Sequence, residues 1–100
     1  MSVIMILRVA ADPAAFEQYA RANGDQIARL ADAAKAEGAI RHQFVAGDGE
    51  ILAIDEWPDE ASFHRFFAGQ PEIPAFMAGA GAQGQPQITF HRKLDVADEF

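Results

Sequence analysis

Residues 50 to 68 carry two periodicities back to back. Glu50-Ile-Leu-Ala-Ile-Asp-Glu-Trp57 alternates in the two-residue rhythm of a strand. Pro58-Asp-Glu-Ala-Ser-Phe-His-Arg-Phe-Phe-Ala68 then repeats its apolar positions at three and four, the spacing of a helix. Asp59 is the helix's expected N-cap, Phe63, Phe66 and Phe67 its aromatic face, and Gly69 its end. Upstream, Ala39 to Ala46 is a second strand, with Ile40, His42, Phe44 and Ala46 on one face and Arg41, Gln43 and Val45 on the other. Asp48-Gly49 between the strands is the signature of a two-residue hairpin turn. That turn fixes the register. Gly47 opposes Glu50, Phe44 opposes Ala53, His42 opposes Asp55, Ile40 opposes Trp57, and Arg41 meets Glu56 on the other face. Two opposite-charge cross-strand pairs then follow from one turn.

The same reading covers the remaining chain. Residues 2 to 10 put Val3, Met5, Leu7 and Val9 on one face and Ile4, Ile6 and Arg8 on the other, a strand covered on both sides. Asp12-Pro13 opens a helix. Its stripe runs through Phe16, Ala20, Asn23, Ile27, Leu30 and Ala34 to a stop at Gly38, with Asn23 the polar misfit. After Gln70-Pro71, the apolar Ile73, Phe76 and Met77 suggest a further short turn of helix. The small residues from Gly79 to Gln85 read as a loop, a candidate mobile lid. Pro86 opens a last strand, Gln87 to Leu94, and an acidic tail follows from Asp95 to Phe100. No internal repeat or low-complexity linker appears.

Strand, helix, strand, strand, helix, strand is the split βαβ order of α+β ferredoxin-like domains. It predicts a four-stranded antiparallel sheet with helices on one face, and right-handed crossovers put the first and third strands in its centre. The other face is still apolar. The expected cover is a second copy of the chain, packed sheet to sheet into an α+β barrel.

Composition sharpens this picture. One hundred residues is the size of a single domain, residues 1–100, able to bury about 60–70% of its unfolded surface. Half of the residues are apolar, an excess that favours a homodimer. Fifteen acidic against eight basic residues give a net charge of −7, which argues against nucleic acid and anionic membranes as partners. The absence of cysteine excludes disulfides, thiolate catalysis and cysteine-ligated metals. Val3-Ile-Met-Ile-Leu7 is too short to span a bilayer and follows no basic segment, so a cytoplasmic location is expected. The three histidines lack metal-ligand spacing, and the glycines from 79 to 84 lack a phosphate-loop pattern, so neither a metal nor a nucleotide is expected.

Asp55-Glu56-Trp57-Pro58-Asp59-Glu60-Ala61, together with the element order, resembles the dimeric α+β barrel proteins and, within them, the antibiotic-biosynthesis-monooxygenase-like group. The resemblance implies two sheets facing across a two-fold axis and a small cavity between sheet and helices for aromatic or polyketide-like substrates. In some members it also implies oxygenation of quinols with no metal or flavin. Two positions depart from the pattern. Asp55 stands where the family commonly has Glu, and Phe66 stands where the family's helix usually has a histidine, the one on which the haem-degrading relatives rely. His64 is offset by two and falls on another face, so haem is not expected and no cofactor is assigned.

His42 and Asp55 are the sharpest candidate for chemistry. A carboxylate beside an imidazole on an apolar face orients the ring's tautomer. A histidine so held can take a proton from a phenol or quinol, the activating step in the cofactor-free oxygenation that the resemblance implies. Trp57 and Phe44 would wall an aromatic substrate, and Tyr19 and Asn23, four apart on the first helix, could look into the same cavity. His91 and His64 read as surface residues. The competing assignment makes His42–Asp55 a register-fixing ion pair in a non-catalytic homodimer that binds a small ligand or only assembles.

Overall fold

A computed structural model describes all 100 residues. The elements run β1 (Val3–Ala10), α1 (Pro13–Ala22), α2 (Gly24–Ala36), β2 (Arg41–Gly47), β3 (Glu50–Trp57), α3 (Glu60–Gly69), α4 (Glu72–Gly79) and β4 (Gln83–Arg92). The four strands form one antiparallel sheet in the order β2-β3-β1-β4, with β1 and β3 central. The hairpin register is the one the Asp48-Gly49 turn dictates: Gly47 faces Glu50, Phe44 faces Ala53 and His42 faces Asp55. Gly49 takes a left-handed φ of +70, but Asp48 does not have a positive φ, so the register is kept without the doubly left-handed type I′ turn that Asp-Gly usually makes.

Alternation then sorts the side chains. Met5, Leu7 and Val9 of β1 and Ile51, Ala53 and Trp57 of β3 are buried on the helix-covered face. Phe16 of α1, Phe63 of α3 and Phe76 of α4 close over them to make the core. Ile4, Ile6, Leu52 and Ile54 point the other way and are only partly covered. Half of the sequence is apolar, yet eleven hydrophobic residues are fully buried, so much of the apolar surface stays uncovered in one copy.

Two elements differ from the sequence reading. The long first helix is two helices, broken at Asn23 (φ −119, ψ 43). Its backbone N–H donates to the carbonyls of Tyr19 and Ala20, and its side-chain Nδ2 donates to Tyr19 O at 2.8 Å. Asn23 therefore terminates α1. The apolar stripe runs on through the break, but Asn23-Gly24 is a turn dipeptide and offers the backbone an alternative to the helix. The second difference is the supposed lid. α4 continues to Gly79, and β4 starts at Gln83, where it pairs with Ala10. Residues 84–86 oppose Val9 in a bulge, with Gly84 at φ +75 and Pro86 inside it. An edge strand tolerates both, because proline withdraws a donor the edge does not need.

The charges on the other sheet face follow the register as well. Arg41 lies opposite Glu56 in register, but the ion pair to Glu56 comes from Lys93, at 3.3 Å. Lys93 also holds Glu99 of the tail at 2.8 Å.

The other ends follow their local chemistry. Asp59 Oδ1 accepts from Ser62 N and Ser62 Oγ, both at 2.8 Å, and caps α3. At the end of α2, Gly38 adopts φ +106 while Gly38 N donates to Lys35 O and Ala39 N to Ala34 O, a Schellman closure that requires glycine. The returning chain thus enters β2 at the right level for Ile40 N to donate to Glu56 O, 2.9 Å away.

Candidate functional site

The hairpin carries the site. His42 and Asp55 are directly opposed on β2 and β3, and their side chains share the helix-covered face. His42 Nδ1 lies 2.6 Å from Asp55 Oδ1. Two residues along β3 on the same face, Trp57 Nε1 donates to Asp55 Oδ2 at 3.0 Å. Both carboxylate oxygens are therefore engaged, and the group is held among apolar neighbours with only 6% of its residue surface exposed. A buried carboxylate needs such partners. With Nδ1–H donating to Asp55, the imidazole is fixed in the tautomer that leaves a lone pair on Nε2. His42 keeps 45% of its side-chain surface open, so that nitrogen is reachable.

What His42 opens onto is a cavity of about 420 Å³ between the sheet and α2, α3 and α4. That volume falls within the ~300–1,000 Å³ usual for small-molecule sites. Of its 21 lining residues 17 are hydrophobic, and the four others are Lys35, Arg41, His42 and Asp55. The walls are therefore apolar and the polar chemistry is concentrated at His42–Asp55. Phe44 stands edge-on to the His42 ring, with centroids 4.7 Å apart, and also packs on Phe16 and Phe76. Phe66, Phe67 and Met77 line the cavity while half-buried, whereas Phe63 and Phe76 are core. Trp57 lies at the cavity's inner end packed on Phe63 and Phe66, but it is 0% exposed. It braces Asp55 from behind and offers a ligand little surface of its own.

His42, Asp55, Trp57 and Phe44 thus come together. Tyr19 and Asn23 do not join them, and neither lines the cavity. Asn23 spends its amide on its own helix, as described above. Tyr19 packs against Phe76 at 5.6 Å, with its hydroxyl 3.5 Å from Gln26 Oε1, one layer behind the wall. Sequence reasoning missed the Trp57–Asp55 hydrogen bond, although residues two apart on a strand share a face and an indole N–H seeks an acceptor when buried. His91 lies on the exposed sheet face with Nε2 2.9 Å from Thr89 Oγ1, and His64 is exposed on α3. No three histidine or acidic side chains cluster in a way that would hold a metal ion.

No protein-family model matches this chain, and no curated protein matches it in sequence. Solved structures do match along nearly its whole length. SnoaB, a cofactor-independent oxygenase from Streptomyces nogalater, superposes with a TM-score of 0.65 at 22% identity, covering 98% of both chains. The fold is that of the antibiotic-biosynthesis-monooxygenase-like proteins. The monooxygenase from the gene ActVA-Orf6 of Streptomyces coelicolor, solved with nanaomycin D, gives a TM-score of 0.70 at 15% identity, covering 98% of this chain and 93% of that one. Rv0793 from Mycobacterium tuberculosis gives 0.61 at 19%, covering 98% and 100%. No helix is long and apolar enough to cross a membrane.

Charged groups outside the cavity set an acid limit on this scaffold. The Ser2 hydroxyl and, after it, Lys93 hold Glu56 below its ordinary 4.5, against the opposing effect of burial. The Ser62 N–H and hydroxyl hold Asp59 below 3.8, and Arg29 holds Glu72 below 4.5. Each carboxylate binds its proton more weakly folded than unfolded. Their stabilisation is complete above the ordinary values and is lost as pH falls through the lower folded ones. Thermal melts from about pH 2.5 to about pH 7 should be flat at the neutral end and fall below about pH 4.5. Asp59 is exposed and Glu72 and Glu56 keep some contact with water, so the fall should be shallow and should shrink further in salt.

Proposed function

We propose that this chain is a cofactor-independent, monooxygenase-like enzyme that acts, as a homodimer closed through the open sheet face, on a small phenol- or quinol-type aromatic. The observation that carries this reading is the His42–Asp55–Trp57 chain opening onto a cavity that is otherwise apolar. His42 Nε2 is the base. Asp55 holds its tautomer, and Trp57 holds Asp55. Phe44 and the half-buried Phe66 and Phe67 offer the substrate ring flat walls. Removal of the hydroxyl proton gives a phenolate rich enough in electrons to reduce dioxygen. One oxygen atom then replaces a ring C–H to give a quinone, and the other leaves as water, so no added reductant is needed. General-base help of this kind is worth about 10²–10⁴-fold. The fold shared with SnoaB and with the nanaomycin D-bound monooxygenase supports the reading.

A second reading has its own support. Asp55 spends both oxygens on neighbouring side chains, as a purely structural carboxylate would. In that case the dimer binds a small apolar ligand or only assembles.

Thermal unfolding against quinols, flavonoid-like phenols, polyketide fragments and haem, with wild type and His42→Ala side by side, separates the two. A ligand at 100 times its Kd adds about 2.7 kcal/mol, which moves the melting temperature of a domain this size by roughly 10–20 °C at most and by several degrees at lower occupancy. The expected result is a shift with one aromatic class, weakened in His42→Ala, with oxygen uptake by wild type alone. Equal shifts in both proteins and no oxygen uptake would leave a binding protein, and flat traces throughout would leave a structural one.

A further inference from the structure

Two groups of large hydrophobic side chains stay exposed in one copy, and they match each other. One is on the segment after β4: Leu94 is 66% exposed, Val96 60%, and Phe100 fully exposed. The other lies where the chain enters β2, at Ile40 (53%) and Phe44 (39%), both lining the cavity. Their charges are complementary. The segment carries Asp95, Asp98 and Glu99, and the cavity entrance carries Lys35 and Arg41. Neither Lys35 nor Arg41 is in an ion pair, in a chain whose acids outnumber its bases.

We infer that residues 93–100 of a second copy cover the β2 edge and the mouth of the cavity, so that each substrate site is completed by its partner. This rests on the sheet-to-sheet homodimer proposed above. The register gives it a route. Val3 pairs with both Trp57 and Arg92, and Arg41 pairs with Glu56, so the end of β4 and the start of β2 lie at the same end of the sheet. β4 and β2 are opposite edges. A two-fold axis parallel to the strands stacks β4 of one copy over β2 of the other with those two ends level.

Packed sheets lie about 10 Å apart, and eight extended residues span about 26 Å. The segment therefore bridges the gap with length to spare. β2 pairs only with β3, so its outer backbone groups are free to receive a strand. Within one copy the segment is held back by the Lys93–Glu99 pair and by a bend that puts Ala97 at φ +58, a region that disfavours residues other than glycine. Straightening it relieves that bend.

The chain has no cysteine, which makes the test direct. One preparation carries Ile40→Cys and a second, longer by an affinity tag, carries Val96→Cys. They are mixed, allowed to exchange subunits and oxidised, beside a control pair with Ala28→Cys in place of Ile40→Cys. Sedimentation of each protein is measured in parallel, and so is that of a full-length Leu94→Asp/Val96→Asp variant. The expected result is a mixed-mass cross-linked dimer from the Ile40 pair, little from the control, and a dimer dissociation constant raised at least tenfold in the double aspartate variant. A dimer that forms no mixed cross-link, and that the aspartates leave intact, overturns this inference and leaves the dimer standing. A wild type that sediments as a monomer overturns both.

Discussion

Replacing Trp57 with alanine is expected to cost about 3–5 kcal/mol of stability, the usual range for emptying a fully buried tryptophan site. The side chain is 0% exposed, packs on Phe63 at 5.6 Å and Phe66 at 5.5 Å, and donates to Asp55 Oδ2. Removing it leaves a void beside the cavity and strips a buried carboxylate of one of its two donors. A domain of this size has about 5–15 kcal/mol in total, so the variant should sit near its unfolding threshold. Trp57→Phe separates the two effects. It keeps most of the volume and loses the hydrogen bond, so it should cost about 1–3 kcal/mol. Urea titrations at neutral pH give both numbers. If Trp57→Phe proves as damaging as Trp57→Ala, the hydrogen bond matters more than the packing.

The second large effect is on turnover. Asp55→Asn changes shape very little, but one oxygen becomes an N–H donor. Turned so that its oxygen still accepts from Trp57, the amide presents N–H to His42 Nδ1. The imidazole must then accept there and carry its proton on Nε2, which removes the lone pair from the cavity. Turned the other way, two N–H groups meet at Trp57. That second orientation would keep the tautomer but leaves two buried N–H groups facing each other without an acceptor, so the first is favoured. The base is lost, and turnover of the substrate found by the ligand panel should fall by about 10²–10⁴-fold, with the melting temperature falling far less than in Trp57→Ala. Steady-state oxygen uptake measures it. A variant with wild-type turnover would remove Asp55 and His42 from the mechanism and return them to the role of a register clamp.

Much of this architecture was legible because the sequence repeats its instruction locally. Asp48-Gly49 marks a two-residue turn whatever its exact backbone angles, and the alternation on either side then carries the register as far as His42–Asp55. Asp59 and Gly38 mark helix ends by chemistry that acts within a few residues. The failures come where two local signals compete or where the outcome depends on distant contacts. The stripe from Phe16 to Ala34 says one helix, and Asn23-Gly24 says a turn. The turn prevails because Asn23 satisfies the end of α1 with its own amide. The Gly-rich stretch after Gly79 looks unordered when read alone, yet Ala10 on β1 gives Gln83 a ladder partner 73 positions away in sequence (83 minus 10). Tyr19 and Asn23 are four apart at the end of α1, but the cavity opens beneath α2, α3 and α4, and no residue of α1 lines it. Arg41 does stand opposite Glu56, as the turn dictates, and its charge favours that carboxylate, but the direct ion pair comes from Lys93, which local alternation does not reveal.

The burial of Trp57 has a further, optical consequence. It is the chain's only tryptophan, so all indole emission arises from one ring, shielded from water and bonded to the carboxylate that holds His42. Native fluorescence therefore reports on the inner end of the cavity and nowhere else. A quinone formed there would lie within quenching distance of the ring, and its formation and departure could be followed turnover by turnover without a label.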